Sequence, residues 1–143
     1  MSISAEATPS AQDAEHLRML GIGHYVVGGL TGVFALIPVL HLCIGLAMLN
    51  GRLPVNGLSA AQVPLFAWTF VVIAGLMIVG GLALAAAMVY AGRCLGTRRR
   101  YTYCLIVAGV SCAMMPFGTA LGVFSLLVLL RPSVKPLFAK TAP

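Results

Sequence analysis

The sequence predicts an all-α protein: an integral membrane helical bundle with two long spans followed by a short C-terminal helical hairpin. Three observations predict it. Sixty per cent of the 143 residues are hydrophobic and only 8% are charged, against roughly 25% charged in an ordinary soluble domain. Residues 19–50, 53–92 and 101–130 contain no Asp, Glu, Lys or Arg, and each stretch exceeds the roughly 20 residues that cross a hydrocarbon core of about 30 Å. The net charge of +6 comes from nine Lys and Arg set against three acids, and the basic residues collect at the ends of the apolar stretches, where positive-inside anchors belong.

Residues 1–16 read as a polar tail and the start of an interfacial helix, 17–131 as the transmembrane bundle, and 132–143 as a basic C-terminal tail. The N-terminal region is acidic and has no apolar core, so a cleaved signal peptide is not expected. Ser10 with Asp13 fits a capping box, which starts a helix near Ala11, and Gly21 and Gly23 are placed to bend it into the first span. That span is too long for a straight crossing, so tilt and a kink near Pro38 are expected. Turn residues over 54–64 make an external loop, the second span follows over about 65–91, and Arg93, Arg98, Arg99 and Arg100 close it. These arginines read as lipid-headgroup anchors on the cytoplasmic side rather than as a nucleic-acid surface.

The third stretch is interrupted by Pro116 and Gly118. One kinked helix there gives three spans and leaves the basic residues almost evenly divided between the two sides. A hairpin returns the chain to the arginine side and places eight of the nine basic residues together, with Arg52 alone opposite; the positive-inside rule selects the hairpin. Its arms are short of the membrane thickness. Thr97 is the expected N-cap of the first arm and Thr119 of the second, while Pro116 removes one amide from the turn. The tip is expected to be covered by protein rather than lipid.

Gly-Val-Phe-Ala-Leu at 32–36 recurs as Gly-Val-Phe-Ser-Leu at 122–126, and each copy closes a G-x-x-x-G, Gly28 with Gly32 and Gly118 with Gly122. Such pairs let helices approach closely in lipid. Either the first and last helices meet through these glycines, or the recurrence is chance in a chain with 16 glycines. Gly81 and Ala85 form a further small-residue seam in the second span.

No span contains a carboxylate, which argues against ion-coupled transport, aspartyl proteolysis and carboxylate-bridged metals. Ser111 with His24 or His41 lacks an orienting acid. His24 and His41 lie about 25 Å apart along a helix and cannot share a metal. Cys43, Cys94, Cys104 and Cys112 have neither disulfide nor zinc spacing and read as packing residues. No catalytic, metal or cofactor site is expected.

The segments HLRMLGIGHYVVGGLTG, RRRYTYCLIVAG and MPFGTALGVFSLLVLLRPSVKPLF resemble small uncharacterised bacterial multi-span inner-membrane proteins ending in a P-F-G-T-x-L-G segment and a short basic tail. The resemblance implies a bacterial multi-span inner-membrane protein and supplies no activity or site residues, while the basic bias under the hairpin places both termini in the cytoplasm. The leading expectation is a non-enzymatic membrane subunit or assembly partner, self-associating or part of a larger complex, in contact with anionic lipid headgroups. The alternatives are an oligomeric pore or small-molecule channel and a haem- or quinone-associated subunit using His24 or His41.

Overall fold

The structure, a computed structural model, describes residues 11–53, 56–57, 59–114 and 116–139. Among them every regular element is helical: α1 (Ala11–Phe34), α2 (Val39–Leu49), α3 (Gln62–Thr97), α4 (Tyr101–Ser111), α5 (Phe117–Leu129) and α6 (Lys135–Ala139). Two helical segments, Ala11–Leu49 and Gln62–Thr97, are long and apolar enough to cross a membrane. The expected bundle, with two long apolar segments and a short hairpin behind them, is the architecture observed.

Pro38 divides the first segment. It has no N–H, and its ring would clash with the Phe34 carbonyl in a regular helix. The chain tightens instead: Leu36 N donates to Val33 O at 3.1 Å and Ile37 N to Phe34 O at 3.1 Å, and the α pattern resumes with Leu42 N on Pro38 O at 2.9 Å. The helix runs unbroken through Gly21 and Gly23, so these glycines do not interrupt it. These glycines serve close packing, which needs no change of backbone direction. The N-terminal cap expected at Ser10 lies outside the described residues.

α2 ends on Gly51 at φ +66, with Gly51 N on Met48 O at 3.1 Å and Arg52 N on Ala47 O at 2.9 Å. This is the paired closure that a left-handed residue after a helix permits. α3 opens with Ser59 and Gln62, since the Ser59 N–H and hydroxyl both donate to Gln62 Oε1 at 3.0 Å. The S-x-x-Q spacing carries that signal.

The chain forms two compact units: the described residues of Met1–Gly29 with Ala86–Pro143, and Leu30–Ala85. In the first, Leu17 and Leu20 of α1, Cys94 and Leu95 of α3, Cys104 of α4, Val128 and Leu129 of α5, and Val134 and Phe138 make one buried cluster. The start of α1, the arginine loop and the end of α5 therefore converge, as a hairpin requires. Residues 132–139 are not a free tail. Val134 and Phe138 are buried, and Phe138 meets Tyr101 edge-on with ring centroids 5.5 Å apart; the apolar residues between the basic ones have a core to join. Asp13, expected in a cap, is buried and lies 3.6 Å from the Arg131 guanidinium.

The second unit packs through small residues. A Cβ added at Gly81 would lie 2.6 Å from Ala35 Cβ, and one at Gly45 would lie 3.0 Å from the Ala67 carbonyl oxygen. Only glycine lets the helices approach this closely.

Candidate functional site

The four arginines fall into two groups. α3 continues to Thr97 and ends with Arg98 at φ +54, where Arg98 N donates to Leu95 O at 3.3 Å and Arg99 N to Cys94 O at 2.9 Å. This closure normally takes glycine at the left-handed position. Thr97 accordingly does not cap α4. Its hydroxyl donates back to Arg93 O at 2.9 Å, and α4 begins after Arg100, itself left-handed and without a side-chain cap. The sharp reversal separates the side chains. Arg93, Arg99 and Arg100 line a cleft of about 390 Å³ with Tyr90, Cys94 and Thr97, while Arg98 lines a different cleft with Glu15 and Arg18. A run read in sequence as one cationic cluster thus has two faces.

The hairpin turn is built by Pro116 and Thr119, but not by capping. Thr119 is the third residue of α5, its N–H donates to Met114 O at 3.0 Å, and its hydroxyl donates to Cys112 O at 2.8 Å. One side chain therefore satisfies a carbonyl at the exposed end of the preceding helix. Ala120 N reaches Pro116 O at 3.3 Å and Met114 N reaches Ser111 O at 3.0 Å. This internal bonding answers the requirement that was expected to bring a protein cover over the tip. Among the described residues of the tip, Phe117 is 65% exposed.

The predicted packing glycines do not pair with one another as a face-to-face seam of first and last helices. A Cβ on Gly122 would lie 2.5 Å from Ala108 O and 2.9 Å from Cys112 N, and one on Gly118 would lie 2.6 Å from Ser111 O, so both face α4. The short connection makes α4 the nearest available surface for α5. Gly32 faces Ala85, with the added Cβ at an ordinary 3.6 Å, and Gly28 is buried. α1 and α5 do touch, but at Gly23, where a Cβ would lie 2.8 Å from Leu121 Cδ1. The tight crossing that sequence reading missed is Gly21 with Gly92: a Cβ on Gly92 would lie 2.9 Å from Gly21 O. Sequence reading gives Gly21 only as a bend and does not single out Gly92, and nothing local identifies which distant glycine faces which.

His24 is fully enclosed. Its Nδ1 lies 2.9 Å from Leu20 O, and its Nε2 has no hydrogen-bond partner among the described residues. His41 lines an apolar cleft of about 430 Å³ with Ile37, Pro38, Thr69, Phe70 and Met77 among its walls, and stacks on Phe70 at 6.0 Å. Thr69 donates to Leu65 O at 2.9 Å, leaving the imidazole as the polar group of that cleft with unassigned valence. Cys43 is exposed, Cys94 and Cys104 are buried, Cys112 is half-buried, and all four are free. No group of three or more His, Cys, Asp or Glu converges among the described residues. Comparison with known protein families, curated proteins and solved structures finds no match to this chain.

Proposed function

We propose that the chain is a non-enzymatic integral membrane subunit or assembly partner of the bacterial inner membrane, either self-associating or attached to a larger complex. The observation that carries this reading is the outward apolar surface of the two long segments. Only 22% and 11% of their most apolar windows are buried within the chain, and Leu65, Leu76 and Val79 are 73%, 70% and 69% exposed. Apolar area on that scale calls for lipid or another helix. The absence of any carboxylate from the long apolar stretches supports a role without proton or ion chemistry.

The convergence of Leu17, Leu95, Cys104 and Leu129 in one cluster supports placing the start of α1, the arginine loop and the end of α5 on one face of the membrane, and the excess of basic residues favours the cytoplasm for that face. A reporter active only in the cytoplasm, fused to the C-terminus, is expected to be active; activity only of a periplasmic reporter overturns this topology. Crosslinking in intact membranes, followed by purification in mild detergent, is expected to yield a discrete species larger than the 14.9 kDa monomer. A purely monomeric chain overturns the subunit reading. The pore reading loses support because Thr69 and Ser111 donate to carbonyls in their own helices and Thr119 donates within its turn.

A quinone-associated subunit is a second reading, favoured by the cleft at the Pro38 break. Its apolar walls and single imidazole suit a quinone ring with one of its two carbonyls accepting a hydrogen bond from His41,. Solvent extraction of the purified protein, with quinone quantified per chain, is expected to give near-stoichiometric quinone under that reading, falling on His41→Leu.

A further inference from the structure

We infer that the cleft of Arg93, Arg99 and Arg100 is a headgroup site for one anionic phospholipid, a proposal that rests on the membrane reading above. Three guanidinium side chains line a cleft of about 390 Å³, and no carboxylate is among its lining residues. The two carboxylate side chains among the described residues are engaged elsewhere: Asp13 pairs with Arg131 at 3.6 Å, and Glu15 lines the other cleft with Arg18 and Arg98. The cleft therefore carries concentrated positive charge that calls for an anion, and guanidinium forks match phosphate oxygens.

The surface beside the cleft selects a phospholipid over a soluble phosphate. Val89 and Tyr90 precede Arg93 by four and three positions on α3, which puts them on its face, and they are 37% and 41% exposed. Tyr90 meets Tyr103 of α4 edge-on at 5.2 Å, and Tyr103 is fixed by its hydroxyl on Ala87 O at 3.2 Å. Ile106 and Val110, three and seven positions beyond Tyr103 and so on the same side of α4, are 59% and 50% exposed. Cationic cleft, tyrosine pair and apolar track follow one another along these two helices in the order of phosphate, glycerol and acyl chain. Tyrosine rings favour that interfacial depth, and basic pockets between helices on the cytoplasmic side are places where anionic headgroups dock.

The test uses the full-length protein in neutral detergent, titrated with phosphatidylglycerol, phosphatidylcholine or glycerol 3-phosphate, with bound lipid counted by native mass spectrometry and affinity read from the titration. One phosphatidylglycerol is expected to bind in preference to phosphatidylcholine. The combined Arg93→Gln, Arg99→Gln and Arg100→Gln variant should bind it about tenfold more weakly or worse, and Arg98→Gln should change it less than about twofold. Arg93→Gln alone, on the regular helix, gives an intermediate loss if the triple variant does not fold. Unchanged affinity in both Arg93→Gln and the triple variant, or an equal loss in Arg98→Gln, overturns the proposal. So does glycerol 3-phosphate competing at the same concentration as the lipid, which would make the ligand a soluble anion. Release of the chain from membranes by alkaline carbonate would instead defeat the membrane reading itself, whereas stable embedding with unchanged lipid affinity defeats only this site.

Discussion

Both units bring helices together through small residues, Gly21 with Gly92 and Gly122 with Ala108 in the first and Gly81 with Ala35 in Leu30–Ala85, and the unit built from the ends of the long segments and the hairpin adds side-chain hydrogen bonds between separate helices. There the Tyr101 hydroxyl donates to Leu129 O at 2.9 Å, Tyr103 reaches Ala87 O, and Asp13 meets Arg131. In Leu30–Ala85, the hydrogen bonds of Asn50, Ser59 and Thr69 stay within four residues, and the close contacts are Ala35 with Gly81 and Gly45 with Ala67. On the membrane placement proposed above, the difference is one that two solvents would demand. Near water and headgroups, polar side chains can be exchanged between solvent and protein, so specific pairs form at modest cost; in hydrocarbon, helix association relies on van der Waals fit between small residues.

The two Gly-Val-Phe copies offer the sharpest break of this comparison. Gly122 meets backbone atoms of α4 at distances no real Cβ adopts, whereas the space at Gly32 accepts one at 3.6 Å. Gly122→Leu should force α4 and α5 apart and cost about 3 kcal/mol, while Gly32→Ala should cost less than about 0.5 kcal/mol and offset that by better helix propensity. Leu127→Ile, at a position 62% exposed, serves as the mild control. Thermal unfolding in detergent measures all three. Equal melting of Gly122→Leu and Leu127→Ile would show that Gly122 faces lipid.

Thr119→Val comes next in size. It keeps the side-chain shape but removes the donor to Cys112 O, leaving a carbonyl at the end of a helix with one partner fewer. The expected loss is about 1–2 kcal/mol, with faster amide exchange at 112–114 than in α3. Thr69→Val is the matched substitution in the other unit. Its hydroxyl donates to Leu65 O, a carbonyl of its own helix, so its loss should stay below about 0.5 kcal/mol. Comparable losses at the two sites would mean that the turn bond is not distinguished by its setting.

These contrasts also mark what could be read from sequence. Long uncharged stretches, the Pro38 break and the basic asymmetry that selects the hairpin are properties of single segments, and each was legible. Ser59 with Gln62 is equally local, but it lies among the turn residues of 54–64, whose loop character masks the S-x-x-Q signal. The pairing of Gly21 with Gly92, of Asp13 with Arg131, and of Val134 and Phe138 with the core joins residues far apart in the chain, and no local pattern specifies such partners. The arginine cluster was legible as positive charge at the end of a long apolar stretch. Its division into two clefts depended on two left-handed residues that no glycine announced.

Those residues supply a smaller effect of opposite sign, an expected gain. Arg98 occupies the position after α3 that glycine usually takes, at φ +54, and a side chain there costs about 1 kcal/mol relative to glycine. Gly96 lies two residues too early to take that place. Arg98→Gly should therefore stabilise the chain by about 0.5–1 kcal/mol, reduced by the packing that the arginine stem contributes beside Glu15 and Arg18,. Arg98→Ala separates the two contributions, because it removes the same stem while keeping the Cβ; it should melt below the parent, and Arg98→Gly above it. If both variants melt together, the left-handed turn carries no strain. The sequence has then kept arginine at no conformational cost, and the reversal that divides the two clefts is a relaxed one.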